Sequence, residues 1–308
     1  MNTSMEDNIT YVEITAWTPS YVTTILATGS EHYIGFVDET TVLKYPHLPN
    51  ESDGITVEAQ ILRRLSPHPR IIEFKGKTNE GILIERAANG SVADLLFGKD
   101  GAASELLPHP RERLRWAREA AEAVAYIHSK HVIHRDISVG NLLLDKDMHI
   151  KLADFQGLLL NPDGTTEAEG NSWEGTRSSM PRENKDQSDA RTDIFALGSS
   201  IYTIMLQRVP YHDLDSRMDE DEIERQFRQG EFPSIEVELG GEVVHKCWRG
   251  DYNSAEELVA DLVKLEMSSS VESTRDDYRV SGMISTDETG DTCRLSVPNL
   301  MPITVNQS

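Results

Sequence analysis

Short runs of β-branched and aromatic residues alternate with polar turns through the first part of the chain. YVTTIL, YIGFV and TTVLKY, separated by Gly- and Asp-containing turns, predict an antiparallel sheet of hairpins. One helix interrupts them. ITVEAQILRRL puts Ile55, Ala59, Leu62 and Leu65 near one face, and Pro67 and Pro69 in SPHPR stop it. A further strand pair, IIEFKGK and GILIER, follows. From about residue 92 the period becomes helical. PRERLRWAREAAEAVAYIHSK starts at a proline and repeats apolar positions at Leu114, Ala117, Ala121, Val124, Ala125 and His128. DIFALGSSIYTIMLQ is apolar nearly all round, which predicts a helix inside a lobe, and it is too short to span a bilayer. DEDEIERQFRQG and SAEELVADLVKLEM predict two more helices.

This order gives an arm over residues 1–20, a small β-rich lobe over 21–86 and a larger, mainly helical lobe over 87–267. A polar joint at Ala87–Gly90 separates the lobes, and clefts between lobes are common ligand sites. Residues 268–308 are polar and without period, which predicts a disordered tail. The fold class expected is α+β and bilobal.

The charge narrows the partners. With 30 Lys+Arg against 52 Asp+Glu, the net charge is −22, and the tail carries only three Arg and six acids of it. Nucleic acid is therefore not expected as a partner, because phosphate-backbone binding needs clustered cations. An anionic membrane surface is disfavoured for the same reason. Two cysteines, Cys247 and Cys293, have no metal-type spacing around them, which fits inert thiols in a reducing compartment. The N-terminus shows no basic and apolar leader pattern. The expected location is intracellular, in the cytoplasm, with the nucleus left open.

Candidate chemistry concentrates in a few segments. In His134-Arg135-Asp136-Ile137-Ser138-Val139-Gly140-Asn141 an Asp precedes an Asn by five residues, between a long helix and an apolar run. That spacing suits a phosphoryl-transfer loop, with Asp136 taking or orienting the proton of the attacking hydroxyl and Asn141 a magnesium ligand. Asp154, in LADFQG, follows a strand. Alone it would be a turn residue; at this distance from the loop it is a second magnesium ligand bridging phosphate oxygens. Lys44 ends a strand, where a lysine is usually solvated, yet Glu58 on the lone N-terminal helix could hold its ammonium toward nucleotide phosphates.

In the order VLK, Glu58, HPRII, ILIERAANGS, HRDISVGN, DFQG, SSMPRE, TDIFALG, PYHDL, GEFP and CWRG, the chain resembles a eukaryotic-type protein kinase over about residues 21–267. The phrasing looks particularly like a divergent group of kinase-like proteins frequent in fungi. The resemblance implies ATP with Mg2+ or Mn2+, and a protein substrate with Ser/Thr acceptors. It implies Lys44, Glu58, Arg135 and Asp136 as catalytic residues and Asn141 and Asp154 as metal ligands. Adenine would lie between Val42 and Leu143, under Ile34, against Ile84 and the backbone of Glu85 and Ala87, with Gly29 in the phosphate loop. Leu62, His134 and Phe155 would stack into an internal apolar column, and Asp193 would support the catalytic-loop backbone. For the apolar residues, plain core packing is the other reading, and both can hold at once.

Several positions depart from the family pattern. Ala27-Thr28-Gly29-Ser30-Glu31-His32-Tyr33-Ile34 keeps only the middle glycine, so Ala27 and His32 are expected to hinder close backbone approach to phosphate and Glu31 to add like charge. Gln156 follows Phe155, with Gly157 one residue late, which stiffens the hinge. Ser138 replaces a lysine that meets the γ-phosphate. In Met180-Pro181-Arg182-Glu183 the family's buried acid–arginine tie has no arginine near Tyr252, which implies a different tie. These departures keep a second function class open, a pseudokinase serving as a binding or scaffold module. A small-molecule phosphotransferase is a third, which HRD, TDIFALG and GEFP oppose. Thr176, Ser178 and Ser179 are candidate phosphorylation sites that could pair with Arg135. HDLDSRMDEDEIER reads as a solvated helix start or a docking face for a basic substrate.

Overall fold

The structure, a computed structural model, describes residues 17–48, 53–98 and 108–281. Strands β1 (Thr24–Thr28), β2 (His32–Asp38), β3 (Thr41–Pro46), β4 (Phe74–Lys77) and β5 (Ile82–Glu85) pair antiparallel in the order β1-β2-β3-β5-β4. β3 is buried along its whole length, so its lysine is delivered to the interior. Helix α1 (Asp53–Leu65) lies between β3 and β4 in the chain and buries Ile55, Ala59, Leu62 and Leu65, the face expected from its periodicity.

The C-terminal part is mainly helical. A short helix, α2 (Val92–Phe97), follows the joint. It was not foreseen, although Ser91 and Asp94 form a capping box, a signal present in SVADLLF. Helix α3 (Pro110–Ser129) buries Leu114, Ala117, Ala121 and Val124. Three small pairings follow it. β6 (Val132–Ile133), β9 (Leu158–Leu160) and β10 (Thr166–Glu169) make a three-stranded sheet in the order β10-β9-β6. β7 (Leu142–Leu144) and β8 (Ile150–Leu152) form a hairpin. Helix α4 (Ala190–Leu206) is buried through almost all of its length, as its apolar circumference predicts. Helices α5 (Glu220–Gln229), α6 (Gly241–Arg249) and α7 (Ala255–Ser281) complete the described residues. The mixed α+β class, with an antiparallel N-terminal sheet before a helical part, agrees with the sequence reading.

The chain divides into two units, residues 1–267 and 268–308. The second contributes, among the described residues, the continuation of α7 to Ser281, where the sequence had suggested an unstructured tail from 268. No Pro or Gly breaks the helix from Ala255 to Ser281, so the backbone continues past the end of the apolar period. Residues 282–308, with Cys293, lie outside the described residues, as does most of the N-terminal arm. Cys247 is buried and free, and burial pushes its thiol well above the ordinary range, which makes it inert.

Helices α4 and α6 touch closely because Gly198 has no side chain. A Cβ there would come within 2.5 Å of the Cys247 Cβ. Gly198→Ala is therefore expected to destabilise the fold by about 1–3 kcal/mol through overpacking, measured by urea unfolding. An unchanged midpoint would show that the two helices separate freely.

Candidate functional site

Burying Lys44 on β3 forces its charge to find anions, since an isolated ammonium in an apolar interior is strongly disfavoured. Its Nζ lies 2.7 Å from Glu58 Oε2 on α1 and makes an ion pair with Asp154. Lys44 is 5% exposed and Glu58 fully buried. Burial works against the ammonium, but Glu58 and Asp154 outweigh it and hold its pKa above the usual lysine value. Burial likewise opposes the Asp154 carboxylate, yet Lys44 brings it down to about 2, so it stays ionised. The same Glu58 accepts the N–H of Phe155 at 3.3 Å through Oε1. One α1 carboxylate thus fixes both the lysine and the segment carrying Asp154.

The catalytic-loop candidate is organised from α4. Asp193, fully buried in the first turn of that helix, accepts the backbone N–H of His134 at 2.8 Å and of Arg135 at 2.9 Å, and bonds His128 Nε2 at 2.9 Å. His134 bonds the Ala153 carbonyl through Nε2 at 3.0 Å and accepts the Asp136 N–H at Nδ1, 3.2 Å away. Its ring meets Phe155 edge-on at 5.0 Å, and Phe155 and Leu62 are both buried in the main core. Arg135 and Asp154 adopt left-handed φ of 66° and 67°, a conformation aspartate tolerates but one unusual for arginine, held by the bonds just described.

Asn141 donates through Nδ2 to both the Asp136 carbonyl and its Oδ2, each at 2.8 Å, which leaves Asn141 Oδ1 as an acceptor. Burial raises the Asp136 pKa, favouring proton uptake. Among the described residues no cluster of three or more His, Cys, Asp or Glu could hold a metal by itself. A protein amide oxygen and one carboxylate suit magnesium, which commonly takes one or two protein oxygens and completes its shell with phosphates and water. The donor set fits that ion.

The residues assigned to adenine converge only in part. Val42 and Ile84 are direct partners across β3 and β5 and are buried in the main core. Ile34, Ala87 and Leu143 are partly buried against the same cluster. Leu143 also bridges to Ser91 at the start of α2. Glu85 commits its N–H to Glu73 O at 2.9 Å and its carboxylate to Lys151 at 2.8 Å. It borders a surface cavity of about 430 Å³ with Pro67, His68, Pro69, Glu73 and Lys151, none of them assigned to the site. Gly29 is exposed in the β1–β2 turn, where its N–H bonds His32 O at 2.8 Å.

Three departures acquire a physical form. His32 does not extend over the loop: it is buried, its Cε1 is 3.5 Å from where a Cβ on Gly54 would stand, and Nδ1 is 3.5 Å from Gln156 Nε2. Gln156 is buried too, and its Nε2 donates to Asp154 Oδ1 at 3.0 Å. The hinge residue is thus tied to the metal-ligand candidate. Gly157 is the glycine that packing demands, because a Cβ there would lie 2.1 Å from Ile133 O. Arg182 Nη2 pairs within its own segment with Glu174 Oε2 at 2.8 Å, both largely buried, while Glu183 is exposed. Tyr252 bonds Asp261 at 3.1 Å instead. Arg135 does not meet Thr176, Ser178 or Ser179: its Nη1 donates to Glu169 Oε1 at 2.8 Å. Sequence reasoning passed over Gln156's anchoring role, Glu169 and Glu174, since none belongs to a local motif.

Comparison with known proteins follows the same lines. A protein kinase domain model matches residues 40–271. A probable serine/threonine-protein kinase SIS8 of Arabidopsis thaliana is 27% identical over 220 residues, covering 68% of this chain and 21% of its own. The 3-phosphoinositide-dependent protein kinase 1 of Arabidopsis thaliana is 28% identical over 60% of this chain and 38% of its own. The serine/threonine-protein kinase PLK2 of Mus musculus is 30% identical over 53% of this chain and 24% of its own. The chain therefore spans well under half the length of these relatives. No helix among the described residues is long and apolar enough to cross a membrane.

His32 gives a pH test of this packing. Burial, aided by Lys44 and His47 and opposed by Asp154, lowers its pKa from 6.5 to about 4. Between those values the unfolded chain binds more protons than the folded one, so stability falls as pH drops through that window. Replacing it, His32→Gln, is expected to flatten that part of the decline, read as the difference in Tm between variant and parent from pH 6.5 down to about 4. A constant difference would place His32 in solvent.

Proposed function

Because the chain belongs to the protein kinase family, we propose that it transfers the γ-phosphate of ATP to Ser/Thr hydroxyls of a protein substrate. The observation that supports this best is the buried Lys44–Glu58 pair, 2.7 Å apart, reaching Asp154 while Asp136 is tied to Asn141. A chain relieved of catalysis has no physical reason to keep both metal ligands and the base, Asn141, Asp154 and Asp136.

In this reading Asp136 accepts the proton as the hydroxyl oxygen bonds to the γ-phosphorus. The bond from that phosphorus to the β–γ bridging oxygen breaks, and ADP leaves with the electron pair. Lys44 steadies the α- and β-phosphates, with Glu58 holding it in place. Asn141 and Asp154 would hold magnesium, or manganese, which supplies charge neutralisation along the triphosphate when bound. Arg135 acts through the loop backbone. Ile34, Val42, Ile84, Ala87 and Leu143 line the adenine site, Glu85 contributes backbone at its edge, and Gly29 turns the phosphate loop. Ser138 supplies no cation beside the γ-phosphate.

The acceptor is a basic protein, in keeping with a net charge of −22. An intracellular location, in the cytoplasm with the nucleus left open, goes with this reading. The scaffold reading draws on the single glycine of the β1–β2 turn and on Gln156 occupying Asp154 Oδ1.

Replacement of the base, Asp136→Ala, should lower transfer to a mixed histone preparation about 10²–10⁴-fold. Stabilisation by Mg-ATP in a thermal-shift assay should persist, because the nucleotide contacts remain. Unchanged turnover would remove Asp136 from the chemistry. No transfer and no Mg-ATP stabilisation in the parent chain would support the scaffold.

A further inference from the structure

Arg135 precedes the candidate base and is 1% exposed, so its guanidinium needs a counter-charge inside the fold. Glu169, the last residue of β10, supplies it at 2.8 Å. The indole of Trp173 lies against the same guanidinium, its ring centroid 4.1 Å from Cζ. The segment carrying these residues is fixed by its backbone. Glu169 pairs with Leu158 across β9, Gly170 N–H bonds Gly157 O at 2.9 Å, and Ser172 N–H bonds Gln156 O at 3.0 Å. A Cβ on Gly170 would lie 2.4 Å from Gln156 O, so a glycine is required directly after Glu169.

The strand reaches the other lobe as well. Glu167, two residues earlier at the irregularity in the β10–β9 pairing, pairs with Arg64 at 2.7 Å in the last turn of α1. Arg64 also donates to Leu160 O on β9 at 3.1 Å. One short strand thus joins the helix that carries Glu58 to the loop that carries Asp136, through two acids.

Of the candidate phosphorylation residues, Thr176 is engaged elsewhere. Thr176 donates its hydroxyl to Ser216 O at 3.1 Å, and Arg177 donates to Leu214 O. Glu174 is held by Arg182. These contacts dock the 174–182 segment onto residues 214–216, while Glu169 already occupies Arg135.

We propose that Glu169 is a positioning residue for the phosphoryl transfer: its carboxylate holds Arg135, and through it the Asp136 loop, in the place where an added phosphate on the segment would otherwise be needed. This rests on the kinase reading above. It makes the transfer independent of phosphorylation at Thr176, Ser178 or Ser179. Arg135 Nε and Nη2 have no hydrogen-bond partner. The competing account, that these nitrogens await a phosphate, is one outcome of the test.

Three full-length proteins are compared, the parent, Glu169→Gln and Glu169→Asp, before and after treatment with a broad-specificity protein phosphatase, with phosphate loss confirmed by mass. Initial rates are measured on histones with Mg-ATP, and backbone hydrogen exchange is followed over residues 131–137 and 158–173. Glu169→Gln is expected to lower kcat about 10–100-fold with little change in the KM for ATP, and Glu169→Asp to recover much of it. Phosphatase should leave the parent rate unchanged. Exchange should quicken in both segments of Glu169→Gln alone. A Glu169→Gln enzyme matching the parent in rate and exchange overturns the proposal, and so does a parent silenced by phosphatase. If the parent transfers no phosphate, the kinase reading fails, and the exchange comparison still decides whether Glu169 holds the loop.

Discussion

A protonated amine in an apolar interior must be met by anions, and the anions must be brought to it by separate pieces of the fold. Lys44 imposes this on its surroundings. It reaches Glu58 on α1 and Asp154 after β8, so the N-terminal helix, the sheet and the segment following the β7–β8 hairpin have to be placed together. Glu58 is then available to hold Phe155 N–H as well. Removing one partner would leave a buried charge exposed to its full desolvation cost, which is why such an arrangement tends to be all or none.

Asp193 does for the loop what Glu58 does for the sheet. A carboxylate at the start of a buried helix gathers two consecutive backbone N–H groups and a histidine, which allows Arg135 its left-handed conformation. The acid beside it in space, Asp136, is then oriented by Asn141. β6 leads into this loop and pairs with β9, and β9 pairs with β10, where Glu167 and Glu169 point the arrangement back to α1 and to Arg135. The acidity of the chain, which at first excludes polyanionic partners, thus also supplies the internal counter-charges.

Much of the fold was legible because its signals are local. The face of α1, the proline start of α3 and the all-apolar α4 follow from periodicity and appear as expected. Helix α2 was legible in principle through its capping box but too short to register. The continuation of α7 was not, since nothing apolar marks it. In the candidate site, Lys44, Glu58 and Asp154 meet, and Asp136 meets Asn141, all residues singled out in the sequence. Residues whose partners lie far along the chain were missed or misjudged. The Arg182–Glu174 pair went unnoticed because Glu174 sits in a segment without a pattern. His32 seemed an obstacle to phosphate, whereas it is packed beside Gln156 and Gly54. Burial and long-range pairing, which no window of sequence contains, decide these cases.

The central claim is that Lys44 and Glu58 act as one unit in receiving nucleotide. A double-mutant cycle tests it most directly, with Lys44→Met, Glu58→Gln and the pair compared for stabilisation by Mg-ATP and for kcat/KM, each unliganded unfolding transition serving as the control for folding. Strong non-additivity is expected: once Lys44 is gone, changing Glu58 costs little more, with a coupling of about 0.5–3 kcal/mol. Costs that simply add would mean that the two residues serve the nucleotide independently and do not form one unit.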